Sequence, residues 1–521
     1  MTDRPLPKPA ARSRSGEQVR FMIGRCGFLV LGCLVITACA TRKPKITGDL
    51  LEDIRNPDLA FTTRIALTEE VPAAIESGTI SQTEAVEALK DIVWMRRLPA
   101  PMRAVALGQL VGEHGLLTNE EGLLLVMGLL PTETDPGIRL AASQHVVRHN
   151  WVEATSALVR SFSKIDRAVP DSARPEHLAL LELHRDKDIE EIVFDTFVEH
   201  SPDEDRQLGS RIRRDAWNLL SRLDVDGEMR VNLLSGLLDQ PPPENDPMLS
   251  ALRRGLLELR TIPLTGEELE WLTDLHEGKG VGANGWWEGA TDAVASLDAQ
   301  QRRGIRLRHI EALRWAKANR PEWFAATRAE LLTELDSRLA AREHRRRATD
   351  IMKFRSEDLS SNQEQMAWPD LITALVIDDA IQTARIRSAL FDQAEEDRED
   401  KTTEYGGIIR ISILRDEPDT YVAALYAPKP VMRESDTSFV ASPEMLTEST
   451  TALAHYHFHA QTIRNGLYAG PSDGDMLYAA RYGRACIVFT ALDEVTLGVD
   501  LYQPDGVVLD LGEIKRPVGS S

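Results

Sequence analysis

The sequence predicts a multidomain protein in which a long all-α region precedes a smaller α/β domain. The chain has 521 residues, which is more than one compact hydrophobic core usually organises. From about residue 47 to residue 347, apolar residues recur with the i, i+3, i+4, i+7 spacing of amphipathic helices. After about residue 400, short segments rich in valine, isoleucine, leucine and tyrosine indicate strands instead.

The composition is that of an ordinary globular protein, and it restricts the range of functions. Hydrophobic residues make up 42% of the chain and charged residues 27%. The net charge at pH 7 is -21. Because contacts to phosphate groups need a basic surface, the sequence predicts no main role in nucleic-acid binding.

Residues 1–38 are predicted to be a signal peptide for export. A basic stretch precedes an apolar run from Gly27 to Ala38, and this run is too short to span a bilayer as a helix, which needs about 20 residues. The arginines of the basic stretch include Arg12, Arg14, Arg20 and Arg25. The run ends in "ITAC", which resembles the bacterial lipobox and identifies Cys39 as the acylated residue. A plain signal peptide and an uncleaved anchor are the alternatives.

Lipid on Cys39 would attach the mature protein to a bacterial membrane, in the periplasm or on the outer face. Several acyl chains give stable anchoring, whereas one chain binds only marginally. Residues 39–60 are then expected to form a linker. Cys26 and Cys33 leave with the signal, so Cys486 remains as the one free thiol, and its apolar surroundings predict a small buried residue rather than a nucleophile.

The region 61–347 is predicted to be α-helical, because helix-start signals recur along it. Ser81 and Glu84 form the pattern of a capping box. Asp135 is followed by Pro136, which is favoured at the first position of a helix. The basic run "REHRRR" at 342–347 could contact anionic lipid, but a solvated helix end is the preferred interpretation.

A weak internal repeat runs through this helical region. An apolar residue, an arginine and an alanine recur with one spacing at Met102-Arg103-Ala106, Ile138-Arg139-Ala142 and Ile212-Arg213-Ala216. A period near 37 residues is typical of paired-helix solenoids, and "DPGIRLAASQHVV" resembles a helix of a HEAT repeat. A HEAT-like solenoid would bind a protein or peptide partner along its concave face. A helical bundle without repeats is the alternative.

The segment 368–517 is predicted to be the α/β domain. A helical stretch beginning at Trp368 is followed by six strand-like segments, and "QPDG" at 503–506 is expected to join the last two as a hairpin. The six segments are "GGIIRISIL", "TYVAALYA", "LAHYHFHA", "ACIVFTAL", "TLGVDLYQ" and "GVVLDLGEI".

The third of these segments carries three histidines at alternate positions. His455, His457 and His459 would point to the same side of a strand. A core strand with hydrogen-bonded histidines is one interpretation, but burying three imidazoles together is unfavourable unless each finds a partner. A divalent metal ion removes that difficulty, because neutral imidazole is a good zinc ligand. Asp475 is the nearby carboxylate that could complete the ligand set.

These residues resemble the signature of JAMM metalloproteases, also called MPN or JAB domains. The family pattern is His-x-His followed by Ser-x-x-Asp, with a glutamate upstream, and "YHFHA", "PSDGD" and "TEYGG" fit it. The resemblance implies an MPN-type α/β fold in which His457, His459 and Asp475 hold Zn²⁺. It further implies that Glu404 is the general acid–base and that Ser472 donates a hydrogen bond to the oxyanion. His455 is expected to orient a metal ligand or a carboxylate rather than to bind the ion itself.

Three features depart from the family pattern. Phe458 lies between the histidines where serine or threonine is usual, and Ala460 replaces the usual proline. The stretch between His459 and Asp475 is longer than is common in the family, so its extra residues must form a loop near the site. Such a loop could either shape the substrate cleft or obstruct it.

The leading functional hypothesis is a membrane-anchored, zinc-dependent peptidase or isopeptidase with a helical platform for a protein or peptide substrate. The alternative is a non-catalytic scaffold or binding lipoprotein with a JAMM-like pseudoenzyme domain. The intact ligand types favour the first hypothesis, and the longer loop favours the second. An Asp475 far from the two histidines would favour the alternative.

Overall fold

The computed structural model describes residues 46–166, 168–199, 206–238, 245–345, 356–412 and 420–518. Within these residues the chain is helix-rich as far as Glu399, and the strands follow between Gly406 and Lys515. The predicted order of a helical region followed by an α/β domain is therefore confirmed. The predicted signal peptide and Cys39 lie outside the described residues. No helix in the described part of the chain is long and apolar enough to cross a membrane.

In chain order, the helices are α1 (Leu50–Arg55), α2 (Phe61–Glu69), α3 (Val71–Glu76), α4 (Gln82–Trp94), α5 (Ala100–Val111), α6 (Asn119–Leu129), α7 (Pro136–His149), α8 (Thr155–Ser163), α9 (Pro175–Leu183), α10 (Ile189–Glu199), α11 (Arg206–Leu223), α12 (Glu228–Leu237), α13 (Pro247–Glu258), α14 (Gly266–His276), α15 (Trp286–Ala295), α16 (Ile310–Asn319), α17 (Pro321–Ala325), α18 (Arg328–Ala340), α19 (Leu359–Asn362), α20 (Trp368–Gln382), α21 (Ala384–Glu399), α22 (Pro443–Glu448) and α23 (Asp473–Tyr482). Short 3-10 turns lie at Leu130–Thr132, Val152–Ala154, Asp171–Ala173, Leu307–His309, Pro430–Met432 and Gly466–Tyr468.

The helix starts follow the predicted capping signals. The Ser81 hydroxyl accepts the backbone N–H of Glu84, and the Glu84 carboxylate accepts that of Ser81, so the capping box at the start of α4 is confirmed. The Asp135 carboxylate caps α7, which begins at Pro136. Helix α1 lies inside the segment 39–60 that was expected to be a linker, and its Ile54 is fully buried. The helical region therefore begins earlier than residue 61.

Successive helices pack against one another along the chain. Neighbouring pairs such as α4 with α5, α10 with α11 and α13 with α14 are in contact, and α5 with α7 and α11 with α14 connect one pair to the next. The arginines of the repeated sequence pattern share one structural role, because each is buried and forms an ion pair with a later carboxylate. The pairs are Arg103 with Glu133, Arg139 with Glu176, and Arg213 with Asp246.

All six strand-like segments form strands, and together they make one mixed sheet in the described residues. The strands are β1 (Gly406–Ile411), β2 (Tyr421–Leu425), β3 (Ala452–His459), β4 (Cys486–Asp493), β5 (Thr496–Tyr502) and β6 (Val508–Lys515). Their order in the sheet is β2-β1-β3-β4-β5-β6. Only the β3–β4 pair is parallel, and the turn expected at 503–506 joins antiparallel β5 and β6.

Helices cover both faces of the central strand β3. Tyr456 and Phe458 point to the face covered by α16 and α20, where Phe458 packs against Phe489 of β4. The Tyr456 hydroxyl donates to Gln393 of α21 over 2.5 Å. The opposite face carries the histidines and is contacted by side chains of α23. All eight residues of β3 are buried, which fixes the strand firmly between its two layers.

Helix α23 is also held by the helical region through α14. Arg481 in its last turn and Arg484 just after its end contact Glu267 and the ring of Trp271 respectively. Gly483 ends α23 with a left-handed φ of 64°, and a Cβ added there would collide with the buried carboxylate of Glu268. Burial raises the pKa of Glu268 to about 7, against the opposing effect of the backbone N–H that it accepts from Leu264.

The start of the basic run 342–347 is not a solvated helix end, so that expectation is wrong. The Arg345 side chain is 6% exposed and donates to both carboxylate oxygens of Asp500 on β5, over 2.8 and 2.9 Å. It also donates to Glu357 over 2.7 Å. Arg342 donates to the Leu511 carbonyl of β6 over 2.9 Å. These arginines fasten the end of the helical region to the sheet by charge-assisted hydrogen bonds.

Candidate metal centre

The pleat of β3 places two of its histidines at the floor of a groove. His457 and His459 lie opposite Val488 and Thr490 of β4, and both side chains are buried. Their Nε2 atoms are 3.2 Å apart. Two imidazole nitrogens this close need either a shared proton or a shared cation.

The first turn of α23 brings Asp475 to the same point. The Ser472 hydroxyl accepts the backbone N–H of Asp475 over 3.2 Å, and the backbone N–H of Ser472 donates to Asp475 Oδ2 over 2.6 Å. This capping box starts the helix and fixes the carboxylate. Asp475 Oδ1 lies 3.2 Å from His457 Nε2, and Oδ2 lies 3.7 Å from His459 Nε2.

These three separations, two of which involve different oxygens of Asp475, are close to those between the ligand atoms of a single zinc ion. Zinc–ligand bonds of about 2.0–2.2 Å in a tetrahedron put neighbouring ligand atoms about 3.4 Å apart. The observed separations are 3.2, 3.2 and 3.7 Å. Two imidazoles and one carboxylate also match the donor types of catalytic zinc sites, in which a fourth position stays open.

A hydrogen bond to a backbone carbonyl fixes the tautomer of His459 that metal binding requires. His459 Nδ1 lies 2.6 Å from the Tyr468 carbonyl, and a carbonyl only accepts, so Nδ1 carries the proton. The Nε2 lone pair of neutral His459 therefore faces His457 and Asp475, as metal binding requires. His457 Nδ1 lies 3.4 Å from the Tyr502 hydroxyl, at the outer limit of a hydrogen bond.

The electrostatics of the cluster favour a positive charge at its centre. Burial lowers the pKa of His457, but the Asp475 carboxylate outweighs it and the net pKa is raised. Burial and the neighbouring His457 lower the pKa of His459 to about 4. Burial raises the pKa of Asp475, but the two histidines and the backbone N–H of Ser472 lower it by a larger amount. The net pKa is lowered, so the carboxylate is ionised. A proton on His457, or a divalent cation between the side chains, would balance the negative charge of Asp475.

Glu404 lies next to the cluster, just before β1. Ligand atoms of Glu404, His457 and His459 all lie within 4.8 Å of one another. Glu404 is 4% exposed, and burial raises its pKa to about 7, partly offset by His457. Asp475 and Glu404 could each supply a third ligand beside the two histidines; the pKa of Asp475 is lowered, so it is ionised, whereas the pKa of Glu404 is raised. A carboxyl with a pKa near neutrality is suited to proton transfer instead.

His455 is on the same face as the other two histidines but does not reach the cluster through a hydrogen bond. Its Nδ1 lies 2.8 Å from the hydroxyl of Tyr478 on α23, and its Nε2 has no hydrogen-bond partner among the described residues. Burial lowers its pKa well below the usual value, so the ring is neutral. His455 thus contacts the helix that carries Asp475, and not a metal ligand directly.

The cluster opens into a groove between two segments. Residues 436–441 form one wall, and the loop 461–471 with the start of α23 forms the other. The groove has a volume of about 1060 Å³, at the upper end of the range for ligand sites. Leu467, Tyr468 and Leu477 present exposed apolar side chains at its rim. The extra residues after His459 therefore border the groove, and Asp475 keeps its place beside the histidines.

The residues that support the site were not predicted from the sequence. Gln461 donates to Glu404, the Tyr468 carbonyl accepts from His459, and Tyr478 contacts His455. The length of the loop after β3 was the one sequence signal that pointed to this region.

Comparison with known proteins adds no assignment: no model of a protein family, no curated protein and no solved structure matches this chain.

Proposed function

We propose that this protein is a zinc-dependent hydrolase of the JAMM type that cleaves peptide or isopeptide bonds. The observation that carries the proposal is the convergence of His457, His459 and Asp475, whose ligand atoms lie 3.2 to 3.7 Å apart. Glu404 stands beside them with a pKa raised to about 7. The His-x-His and Ser-x-x-Asp patterns point to the same chemistry, which supports the proposal independently of the geometry.

Each residue of the site has a separate role in the proposed amide hydrolysis. His457, His459 and Asp475 would hold the ion. When bound, zinc supplies a Lewis acid that polarises the scissile carbonyl and lowers the pKa of a water molecule toward ~7. Glu404 takes the proton of the attacking water and passes it to the leaving amine. The Ser472 hydroxyl accepts from Asp475 N–H but keeps its own proton, which it donates to the oxyanion.

The helical region is proposed to be a HEAT-like platform that presents a protein or peptide to the groove. The buried arginines Arg103, Arg139 and Arg213 support a repeat, because each forms an ion pair with a carboxylate further along the chain. The contact of α14 with α23 joins this platform to the helix that carries Asp475. Lipid on Cys39 would hold the assembly at a bacterial membrane, in the periplasm or on the outer face.

A site disrupted by the longer loop would favour the pseudoenzyme alternative. The 3.2 Å separation of His457 and Asp475 argues against such disruption. Asp475 is also held by its own capping box, independently of the loop. The hydrolase is therefore the preferred function.

The test is to compare the wild type with Glu404→Gln in the mature, full-length chain. Zinc content would be measured by mass spectrometry, and turnover with a library of fluorescence-quenched peptides. We expect about one zinc per chain in both proteins, cleavage by the wild type, and a loss of about 10²–10⁴-fold in Glu404→Gln. Zinc without cleavage of any peptide or isopeptide probe would favour the binding module. No zinc in the wild type would overturn the proposal.

A further inference from the structure

The loop 461–471 after β3, where the sequence departs from the family pattern, is anchored on the sheet and reaches the acid–base residue. The backbone N–H of Asn465 donates to the Ala491 carbonyl at the end of β4 over 2.7 Å. Asn465 is 4% exposed, so its position is set by the core and not by solvent. The loop therefore has a rigid point close to the groove.

A chain of side-chain hydrogen bonds runs from this point to Glu404. Asn465 Nδ2 donates to Gln461 Oε1 over 2.5 Å, and Gln461 Nε2 donates to Glu404 Oε1 over 2.6 Å. A primary amide has one accepting and one donating end. Because Asn465 occupies the accepting end, the donating end of Gln461 is directed at the Glu404 carboxylate.

This bond has a consequence for proton transfer. Gln461 engages one oxygen of Glu404, which leaves the other oxygen for the proton of the attacking water. A carboxylate that could rotate would spend part of its time out of reach, and misplacement of a catalytic group by about 1 Å can cost about 10²-fold in rate. The same loop supplies the Tyr468 carbonyl that holds His459, so it touches both the acid–base residue and a ligand.

We infer that Gln461 is a positioning residue that fixes the catalytic orientation of Glu404, with Asn465 setting the direction of its amide. The inference rests on the proposed function, since it gives Glu404 the role of acid–base. The loop 461–471, which lengthens the family motif, then has the role of holding Glu404 in position. The two possible roles of Glu404, metal ligand and acid–base, can also be distinguished. If Glu404 were a metal ligand, loss of the Gln461 hydrogen bond would change zinc affinity. If it is the acid–base, the loss would change turnover alone.

The test uses the full-length chain and the peptide that the wild type cleaves best from a fluorescence-quenched library. Gln461→Met keeps the length and shape of the side chain but cannot donate a hydrogen bond. We expect kcat to fall by about 10–100-fold with KM and zinc affinity unchanged. Asn465→Asp, which cannot donate to Gln461, is expected to lower kcat in the same direction. Gln300→Met, at an exposed glutamine of the helical region, is the matched control and should leave kcat unchanged.

A double-mutant cycle distinguishes positioning from a general structural role. Glu404→Asp keeps a carboxylate but withdraws it from Gln461, so adding Gln461→Met should cost little further activity. Independent, multiplicative losses would overturn the inference, and so would a Gln461→Met enzyme with wild-type kcat. A fall of more than about tenfold in zinc affinity would assign Gln461 to the support of the ligands and overturn its role on Glu404. A wild type that binds no zinc or cleaves no probe overturns the proposed function and this inference with it.

Discussion

His457 Nε2 lies 3.2 Å from Asp475 Oδ1, although the two residues belong to different elements, β3 and the first turn of α23. Each side chain is placed by its own element. Strand pleating fixes the histidine, and the Ser472 capping box fixes the aspartate. Helix α23 is itself held by α14, and Asp475 lies beside His457 even with the long loop 461–471 between β3 and α23.

The first prediction separates ligands from supporting residues. His457→Ala, His459→Ala and Asp475→Ala should each abolish tight zinc binding, because each removes one of three ligands. His455→Ala should weaken binding by only about 10–100-fold, since His455 acts through Tyr478 on α23. Competition with a chromophoric chelator measures all four. Equal losses for His455 and His457 would contradict the assignment.

The second prediction concerns the two roles of Ser472. Ser472→Ala should destabilise the protein by about 1 kcal/mol, because the N-cap of α23 is lost. It should also slow turnover by a factor on the order of 10²–10³, because an oxyanion donor is lost. Ser81→Ala removes a matched capping box from α4 and should cost similar stability with no loss of rate. Urea unfolding and steady-state kinetics on both variants measure these effects. Equal turnover rates in Ser472→Ala and Ser81→Ala would show that Ser472 takes no part in catalysis.

The third prediction is a pH dependence of stability that originates at Glu268. Burial raises its pKa from 4.5 to about 7, so between these values the unfolded state loses the proton and the folded state keeps it. The contribution to stability is complete below pH 4.5 and is lost as the pH rises through 7. A shift of about 2.5 units corresponds to about 3 kcal/mol.

Glu268→Gln should therefore reduce the fall in unfolding free energy between about pH 4.5 and pH 8 by an amount of that order. Denaturant titrations at several pH values measure it, with the exposed Glu87→Gln as the control for the loss of one carboxylate. The same pH dependence in wild type and Glu268→Gln would show that the carboxyl is ionised in the folded state.

The fourth prediction concerns export. Cys39→Ser should leave the precursor unprocessed and without lipid, whereas the wild type should begin at acylated Cys39. Mass spectrometry of the N-terminal peptide from the membrane fraction makes the comparison. Cleavage at another residue, or a wild-type chain that still begins at Met1, would reject the lipobox assignment.

Local signals in the sequence predicted a good part of the fold. The alternation in "LAHYHFHA" placed three histidines on one face of β3, and Ser81 with Glu84 marked the start of α4. These features depend on residues within a few positions of one another, so spacing is sufficient to find them. The alternation of the histidines and the nearby Asp475 indicated a metal site, and the family resemblance singled out His457 and His459 as its histidine ligands.

The interactions that support the site depend on contacts between distant segments. Nothing in the sequence around Gln461 shows that its amide meets Glu404, which precedes another strand. Tyr478 reaches His455 only because α23 lies across β3. Arg345 was expected in solvent because its neighbours are charged, yet Asp500 of β5 binds it in the interior. In each case tertiary packing determines the partner of the side chain, so the partner cannot be predicted from the neighbouring sequence.

The most direct test of the central claim is an anomalous difference map, collected at the zinc absorption edge from crystals of the mature protein grown with zinc. The account predicts one strong peak about 2.0–2.2 Å from His457 Nε2, His459 Nε2 and an Asp475 oxygen, with Glu404 too far away to bind the ion directly. No peak between the two histidines, or a peak bound by Glu404 in place of Asp475, would contradict it.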